Sequence, residues 1–138
     1  MIAAFVFSMG ILTVVALQLK GINKLSNSSS ISAAMISASD MADRMRANHT
    51  GVENGSYDSL WGQYASDPAC GSTCNSAQQA TLDVYSVYQE MKHELPESSL
   101  QVINAGDGLF TIDVLWLERN GAIKEILRHR FSFRPYNP

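Results

Sequence analysis

The chain has 138 residues, a formal net charge of -3 and 46% hydrophobic residues, enough for one modest domain and too little for two. Its charge is unevenly distributed: residues 1–119 carry six Lys or Arg against twelve Asp or Glu, whereas residues 120–138 carry four against one. Neither part is basic enough to indicate a nucleic-acid-binding protein by composition alone.

The first feature along the chain is an apolar run. Residues 1–19 contain no charged residue and no His, and Lys20 is the first charge. Since about 20 apolar residues span a bilayer as a helix, the run predicts a membrane or filament-core helix over 1–21. It also predicts a single-pass inner-membrane location with a periplasmic domain over 22–138. The residues expected to pack in this helix are Phe5, Phe7, Ile11, Leu12, Val15, Leu17 and Leu19.

Two alternatives to this anchor are open. A cleaved secretory signal needs a basic segment ahead of an apolar run of about 7–15 residues and a small-residue cleavage site after it. Nothing basic precedes this run, and only residues 13–16 faintly resemble such a site. A buried core helix is the second alternative, but a domain of this size could hardly surround one. The anchor is therefore the favoured interpretation.

A helical pattern continues from Lys20 to about Asn48. Apolar residues recur there at spacings near three and four, and Asp40 precedes Arg44 by one helical turn. The serine-rich segment 26–32 lowers helix propensity, so a bend or a break at that point is an alternative. If the helix is unbroken, its first half would extend out of the domain and its second half would pack against the domain.

Residues 49–76 are rich in Gly, Ser, Asn and Asp, and they predict a long loop. A short second helix is expected over 77–95, capped by Asn75 or Ser76 and ended by Pro96. The residues expected to pin the loop to the core are Tyr57, Leu60, Trp61 and Tyr64.

After Pro96 the apolar period changes from that of a helix to that of a strand. Residues 99–104, 109–118 and 123–133 are predicted as three antiparallel strands, a β-meander within 99–134. The predicted fold class is therefore α+β: a long N-terminal helix with an apolar first half, packed on a three-stranded antiparallel sheet, with a second short helix in the connection.

The Asn120-Gly121 pair is a strong signal for a two-residue hairpin turn. A turn there pairs residue 118 with residue 123, and it sets Asp113 opposite Arg128 as a cross-strand ion pair. The core face of this hairpin is expected to hold Phe110, Ile112, Val114, Trp116, Leu127, His129 and Phe131.

Cys70 and Cys74 are the only cysteines of the chain. A zinc site needs four protein ligands, or three and a water, and no His lies near these two thiols in sequence. A disulfide is therefore predicted, provided that the domain lies in an oxidising compartment. Closing so short a loop stabilises by about 2 kcal/mol on the chain-entropy account. Two free thiols are the alternative.

The sequence offers no catalytic motif, no phosphate-binding glycine loop and no metal-ligand spacing. We therefore expect no enzyme, no cofactor, no metal and no small-molecule substrate. The candidate contacts to other subunits or to DNA are Lys124, Arg128, Arg130 and Arg134. Nucleic acid is the less favoured partner because few aromatic residues lie among these cations, and strand-edge protection explains them as well.

The chain resembles the minor pilins of bacterial type IV pili, most closely the PilV class of type IV pilus modification proteins. The resemblance depends on Asp40–Asn48 with its run ADRMRAN, on FSMGIL at 7–12, on the Cys70 to Cys74 loop and on the closing strand into Arg134-Pro135. It implies a pilin-like fold and a structural role in the complex that starts pilus assembly and lies at the tip. Pilus biogenesis, N-terminal methylation, adhesion and twitching motility are further implications.

The resemblance also implies partners: the other minor pilins, the major pilin, a tip adhesin, and the inner membrane through the N-terminal helix. Family precursors carry a basic leader, a glycine cleavage point and a glutamate soon after it. Met1 corresponds to a position just after that glutamate, so the numbered sequence either begins late or is a truncated form. The alternatives are an I-class minor pseudopilin of type II secretion, a DNA-binding minor pilin for DNA uptake, and a signal-anchored periplasmic enzyme.

Overall fold

The computed structural model describes residues 28–70, 73–120 and 123–136. The helix predicted over 1–21, with all its packing residues from Phe5 to Leu19, lies outside this range, as do residues 26 and 27 of the predicted bend. In chain order the elements are α1 (28–47), α2 (His49–Glu53), β1 (Ser59–Trp61), a 3-10 helix (Gly62–Tyr64), α3 (Ser76–Glu94), β2 (Ser99–Gly106), β3 (Leu109–Asn120) and β4 (Ile123–Phe133).

The sheet has four antiparallel strands in the order β1-β2-β3-β4. The predicted fold class is wrong here, since it has three strands. The fourth is β1, which lies inside the predicted loop and pairs Ser59 with Ile103 and Trp61 with Gln101. Three residues are too few to display the alternation that identifies a strand in sequence. The long apolar N-terminal helix of that fold class is not found among the described residues either.

No helix in the described part of the chain combines the length and the apolar character needed to cross a bilayer. The helix α1 is amphipathic and carries Asp40, Asp43, Arg44 and Arg46 within residues 28–47. This finding contradicts the predicted transmembrane helix. It also contradicts the predicted location, that of an inner-membrane protein which later reaches the pilus and cell surface. Neither prediction is used in the proposals below.

The core lies between the two long helices and one face of the sheet. Three of the buried residues of α1 are alanines, which add little bulk beyond the backbone. The fully buried residues of α1 are Ala34, Ala38, Met41, Ala42 and Met45. From α3 come Ala80, Val84, Val87 and Met91, and from the sheet Leu100, Val102, Phe110, Ile112, Val114, Trp116 and Phe133. The helix α3 begins with a capping box between Asn75 and Gln78.

The hairpin of β3 and β4 closes at Asn120, which pairs with Ile123. The predicted register, with residue 118 opposite 123, is therefore wrong by two positions. Asp113 lies opposite Arg130 and not opposite Arg128. A shift of two keeps every side chain on its predicted face, because strands alternate with a period of two.

The segment 49–76 is only partly a loop, because it contains α2, β1 and the 3-10 helix. Tyr57 is fully buried and Leu60 packs against the core. Trp61 is 38% exposed and Tyr64 is 81% exposed, so neither aromatic ring pins the segment as predicted.

A buried polar network ties this segment to the helices. The Tyr57 hydroxyl donates to Asp83 Oδ2 at 2.5 Å, and Gln79 Nε2 donates to Asp83 Oδ1 at 2.7 Å. Asn48 Nδ2 donates to the Tyr57 hydroxyl at 3.0 Å and to the Ser76 carbonyl at 2.8 Å. Burial first, and then the hydrogen bond to Asp83, raise the pKa of Tyr57 far above its ordinary value. Tyr57 is therefore a permanent donor to a buried carboxylate.

Met41→Ala should lower the free energy of unfolding by about 2–5 kcal/mol, because it opens a cavity at a fully buried site between α1 and the sheet. Met35→Ala removes the same atoms from a side chain that is 51% exposed on the same helix, and should change stability by about 0.5 kcal/mol or less. Urea unfolding of the two variants provides the comparison. Equal losses would contradict the placement of α1.

Tyr57→Phe should destabilise the fold by about 1–3 kcal/mol, since it removes one hydrogen-bond donor from the buried Asp83 carboxylate. Tyr64→Phe is the matched control, because Tyr64 is 81% exposed. Thermal and urea unfolding of both variants test this expectation. If Tyr57→Phe were as stable as the control, the network would not be a stabilising element.

Candidate functional site

One face of the sheet is covered by the helices, and the other face, here the open face, is not. Even-numbered residues of β3 from Phe110 to Trp116 point into the core and are buried. The register then places odd-numbered residues of β3 beside even-numbered residues of β4 on the opposite side. The open face comprises Ser59, Trp61, Ser99, Gln101, Ile103, Thr111, Asp113, Leu115, Leu117, Arg119, Lys124, Ile126, Arg128, Arg130 and Ser132.

The centre of the open face is an ion pair between Asp113 and Arg130. Arg130 Nε and Nη2 donate to the two carboxylate oxygens of Asp113, both at 2.8 Å. The Asp113 side chain is 3% exposed, whereas that of Arg130 is 54% exposed and covers it. The hydrogen bonds from Arg130 lower the pKa of Asp113 below its ordinary value and outweigh the opposite effect of burial. The guanidinium of Arg130 thus supplies the hydrogen bonds that the buried carboxylate of Asp113 needs on a face that no helix covers.

The structure brings three of the four predicted basic contacts together. Lys124, Arg128 and Arg130 lie on β4 with their side chains on the open face. Arg134 follows the end of β4, and its Nε donates to the Asp107 carbonyl at 3.4 Å in the turn between β2 and β3. The cationic group is therefore a row of three along one strand, with Arg134 apart from it.

The cations of this row differ in their partners. Arg130 is neutralised by Asp113. Within the part of the chain that the structure describes, Lys124 and Arg128 take part in no ion pair. Lys124 lies directly opposite Arg119, which itself bonds Glu97. Like charges that face each other across a ladder are destabilising, and the ion pair of Arg119 with Glu97 reduces this repulsion.

The strand β4 also forms one edge of the sheet. It runs for 11 residues, and its register with β3 is unbroken from Phe133 back to Ile123. Among the described residues no strand pairs with its outer side, so alternate main-chain N–H and C=O groups there point away from the sheet. Two aliphatic side chains on this strand stand far out of the fold: Ile123 is 69% exposed and Ile126 is 71% exposed.

A second exposed surface lies on α1. Ile31 is 42%, Met35 is 51% and Ile36 is 69% exposed. Ile36 borders a groove of about 700 Å³ between α1 and α3, whose apolar wall includes Val87 and Met91. Arg44 at the rim of this groove bonds Asp40 Oδ2 at 3.0 Å.

Cys70 and Cys74 are joined by a disulfide, with their Cα atoms 5.0 Å apart. It closes a short loop just before α3. Across the described ranges, no three or more His, Cys, Asp or Glu side chains converge in the way that would hold a metal ion. Neither feature adds a catalytic group to the surfaces above.

Sequence reasoning found the cations of β4 but missed two features of the site. The first is the aliphatic side chain of Ile126, which the sequence shows as an apolar residue at the alternating position between Lys124 and Arg128. The second is the position of β4 at the edge of the sheet. The sequence of β4 does not show this position, because strand order depends on all the strands of the sheet.

No protein-family model, no curated protein and no solved structure matches this chain.

The Asp113–Arg130 pair should make stability depend on acid. Arg130 lowers the folded-state pKa of Asp113 below its ordinary 3.8, so the pair stabilises fully above that value and progressively less as the pH falls below it. Arg130→Gln should therefore be less stable than the unaltered chain at about pH 6, and the difference should narrow below about pH 4. Urea unfolding across this range measures it.

Arg134→Gln is the control, since the described contact of Arg134 is a long hydrogen bond to a main-chain carbonyl. It should show no comparable change with pH. A difference between Arg130→Gln and the unaltered chain that stayed constant from about pH 6 to pH 3 would show that the ion pair is not its cause.

Proposed function

We propose that this chain is a minor pilin, a structural subunit of the type IV pilus that acts by binding neighbouring subunits in the complex that starts assembly. The observation that carries the proposal is an apolar stripe on α1 that continues beyond the domain's own core. Its members recur at helical spacing, at Ile31, Ala34, Ala38, Met41 and Met45.

The two ends of this stripe differ in their surroundings. From Ala34 onwards its members are fully buried by the sheet and α3, whereas Ile31 is 42% exposed. Met35 beside it is 51% exposed. A contiguous apolar surface of this kind on a helix is suited to packing against another protein. A neighbouring helix laid along it would bury these side chains, which is how subunits joined through helices associate.

The residues behind the pilin resemblance have structural roles in this domain. In the run 42–48, Ala42 and Met45 are fully buried, and Asn48 bonds both Tyr57 and the start of α3. The run therefore joins α1 to the rest of the domain. This supports the resemblance with a physical reason for those residue types at those positions.

A filament subunit needs two different surfaces, because head-to-tail contacts between unlike surfaces build open helical assemblies. The exposed part of α1 is apolar, and the open face with its edge strand β4 is cationic and lies on another element. Two unlike surfaces on separate elements suit such contacts.

The proposal is tested by capture with the full chain. The tagged chain should retain another minor pilin, or the major pilin, of the genome that encodes it. A double substitution of Ile31→Asp and Met35→Asp should weaken this capture by about tenfold or more, because burying one such side chain contributes about 1.5 kcal/mol or more. Thr50→Asp is the control, since it places the same charge at an exposed position of α2.

Capture of pilus subunits by the unaltered chain and by Thr50→Asp, with loss in the double variant, would support the proposal. Retention of type II secretion pseudopilins alone would replace it by the secretion alternative. Retention of duplex DNA without any pilus subunit would favour the DNA-uptake alternative. Melting curves of each variant show that it is folded.

A further inference from the structure

We infer that the outer edge of β4 accepts an extended strand from a different protein, and that this strand carries an acidic, an aliphatic and an acidic residue at alternating positions. The inference rests on the proposed function in so far as that strand belongs to a neighbouring subunit.

The edge is long and, apart from its charged side chains, lacks the usual devices that block strand addition. The other devices are short length, proline, a bulge or an inward-pointing charge. The strand β4 has 11 residues without proline, and its ladder with β3 contains no register shift. The opposite edge of the sheet is β1, which has only three residues. An added strand therefore gains many more main-chain hydrogen bonds on β4 than on β1.

The side chains along this edge define the partner's chemistry. Lys124, Ile126 and Arg128 alternate on the open face, so an added strand would place its own alternate residues about 5 Å from them. Opposite charges at such positions attract, and Lys124 and Arg128 have no ion pair within the described residues. An aliphatic residue facing Ile126 would cover a side chain that is 71% exposed. The complementary pattern of acidic, aliphatic and acidic residues is the same in both chain directions. An added strand can therefore pair with β4 in either the parallel or the antiparallel direction.

A second copy of this chain does not fit the edge. Two β4 strands paired with each other would bring Arg128 and its cationic neighbours face to face, and like charges across a ladder are destabilising. The chain also lacks the complementary pattern elsewhere: the only two acidic residues four positions apart, Glu90 and Glu94, flank Lys92. The occupant is therefore a different protein.

Nucleic acid fits this edge less well than an acidic strand. Bases bind by stacking on aromatic rings interleaved with cations, whereas the side chains between and beside Lys124 and Arg128 are Ile126, Leu115 and Leu117. The aromatic residue of the open face, Trp61, lies on β1 at the far side of the sheet.

The probe is a capped synthetic peptide with the core Glu-Thr-Val-Thr-Glu, and its binding to the full chain is followed by fluorescence anisotropy. A matched peptide has Lys in place of each Glu and should bind about tenfold more weakly or worse, because two cross-strand attractions become repulsions. Two further Glu peptides are N-methylated at alternate amides. Strand addition requires that one of them loses binding and the other keeps it, since only one edge of the peptide pairs with β4.

The chain variant is Lys124→Glu with Arg128→Glu, both at exposed side chains. It should reverse the preference, binding the Lys peptide about tenfold more tightly than the Glu peptide. Lys92→Glu on α3 is the control and should keep the original preference, because Lys92 is exposed on another element. A melting curve of each variant shows that the sheet is intact.

Several outcomes would overturn the inference. They are equal binding of the Glu and Lys peptides, equal effects of the two N-methylated peptides, and binding of single-stranded DNA in place of the Glu peptide. If pilus subunits are captured but the peptide preference is absent, the inference fails and the proposed function stands. If the preference reverses as expected but no pilus subunit is captured, the proposed function fails and the edge site stands.

Discussion

The fold depends most on the hydrogen bonds made to one buried carboxylate, that of Asp83. Its side chain is 4% exposed, and it accepts from Tyr57 at 2.5 Å and from Gln79 at 2.7 Å, with Arg44 Nη1 4.0 Å away. A buried charge is tolerated only where donors replace the water that it has lost. The two hydrogen-bond donors come from α3 itself and from the segment before β1, and the Arg44 guanidinium of α1 lies within ion-pair distance, so the carboxylate brings the three segments together. The Tyr57 hydrogen bond also holds the segment just before β1 against α3.

A buried carboxylate on the open face also needs hydrogen-bond donors, but there the donor comes from a different kind of element. Asp113 is also buried, but its donor Arg130 is half-exposed and belongs to an edge strand. Inside the core the network fixes helices to each other, whereas on the open face the pair fixes β3 to β4. On the described part of the open face, Arg130 is held by Asp113, whereas Lys124 and Arg128 make no ion pair.

The pattern of apolar residues was sufficient to predict α3, the last three strands and the core face of the hairpin. It could not predict β1, which is too short to show a period, nor the exposure of Trp61 and Tyr64. The register was wrong by two because a shift of two leaves the apolar pattern unchanged. Every cross-strand pair differs between the two registers, but both place an arginine opposite Asp113, so this ion pair does not select one of them from the sequence. The basic residues of the site were identified from charge alone, but the edge position of β4 depends on strand order.

The two edge strands of the sheet differ in length and charge, and this difference bears on function. A monomer that works alone gains nothing from a long regular edge, because unpaired strand edges promote unwanted association. Here the short strand β1 closes one side, while β4 is left with 11 residues and a row of cations. Charge discourages pairing with an identical edge and still permits pairing with an acidic one. Together with the exposed end of the α1 stripe, this gives the molecule an apolar surface and a cationic surface on separate elements. Such a molecule is suited to association with unlike neighbours, one on each surface.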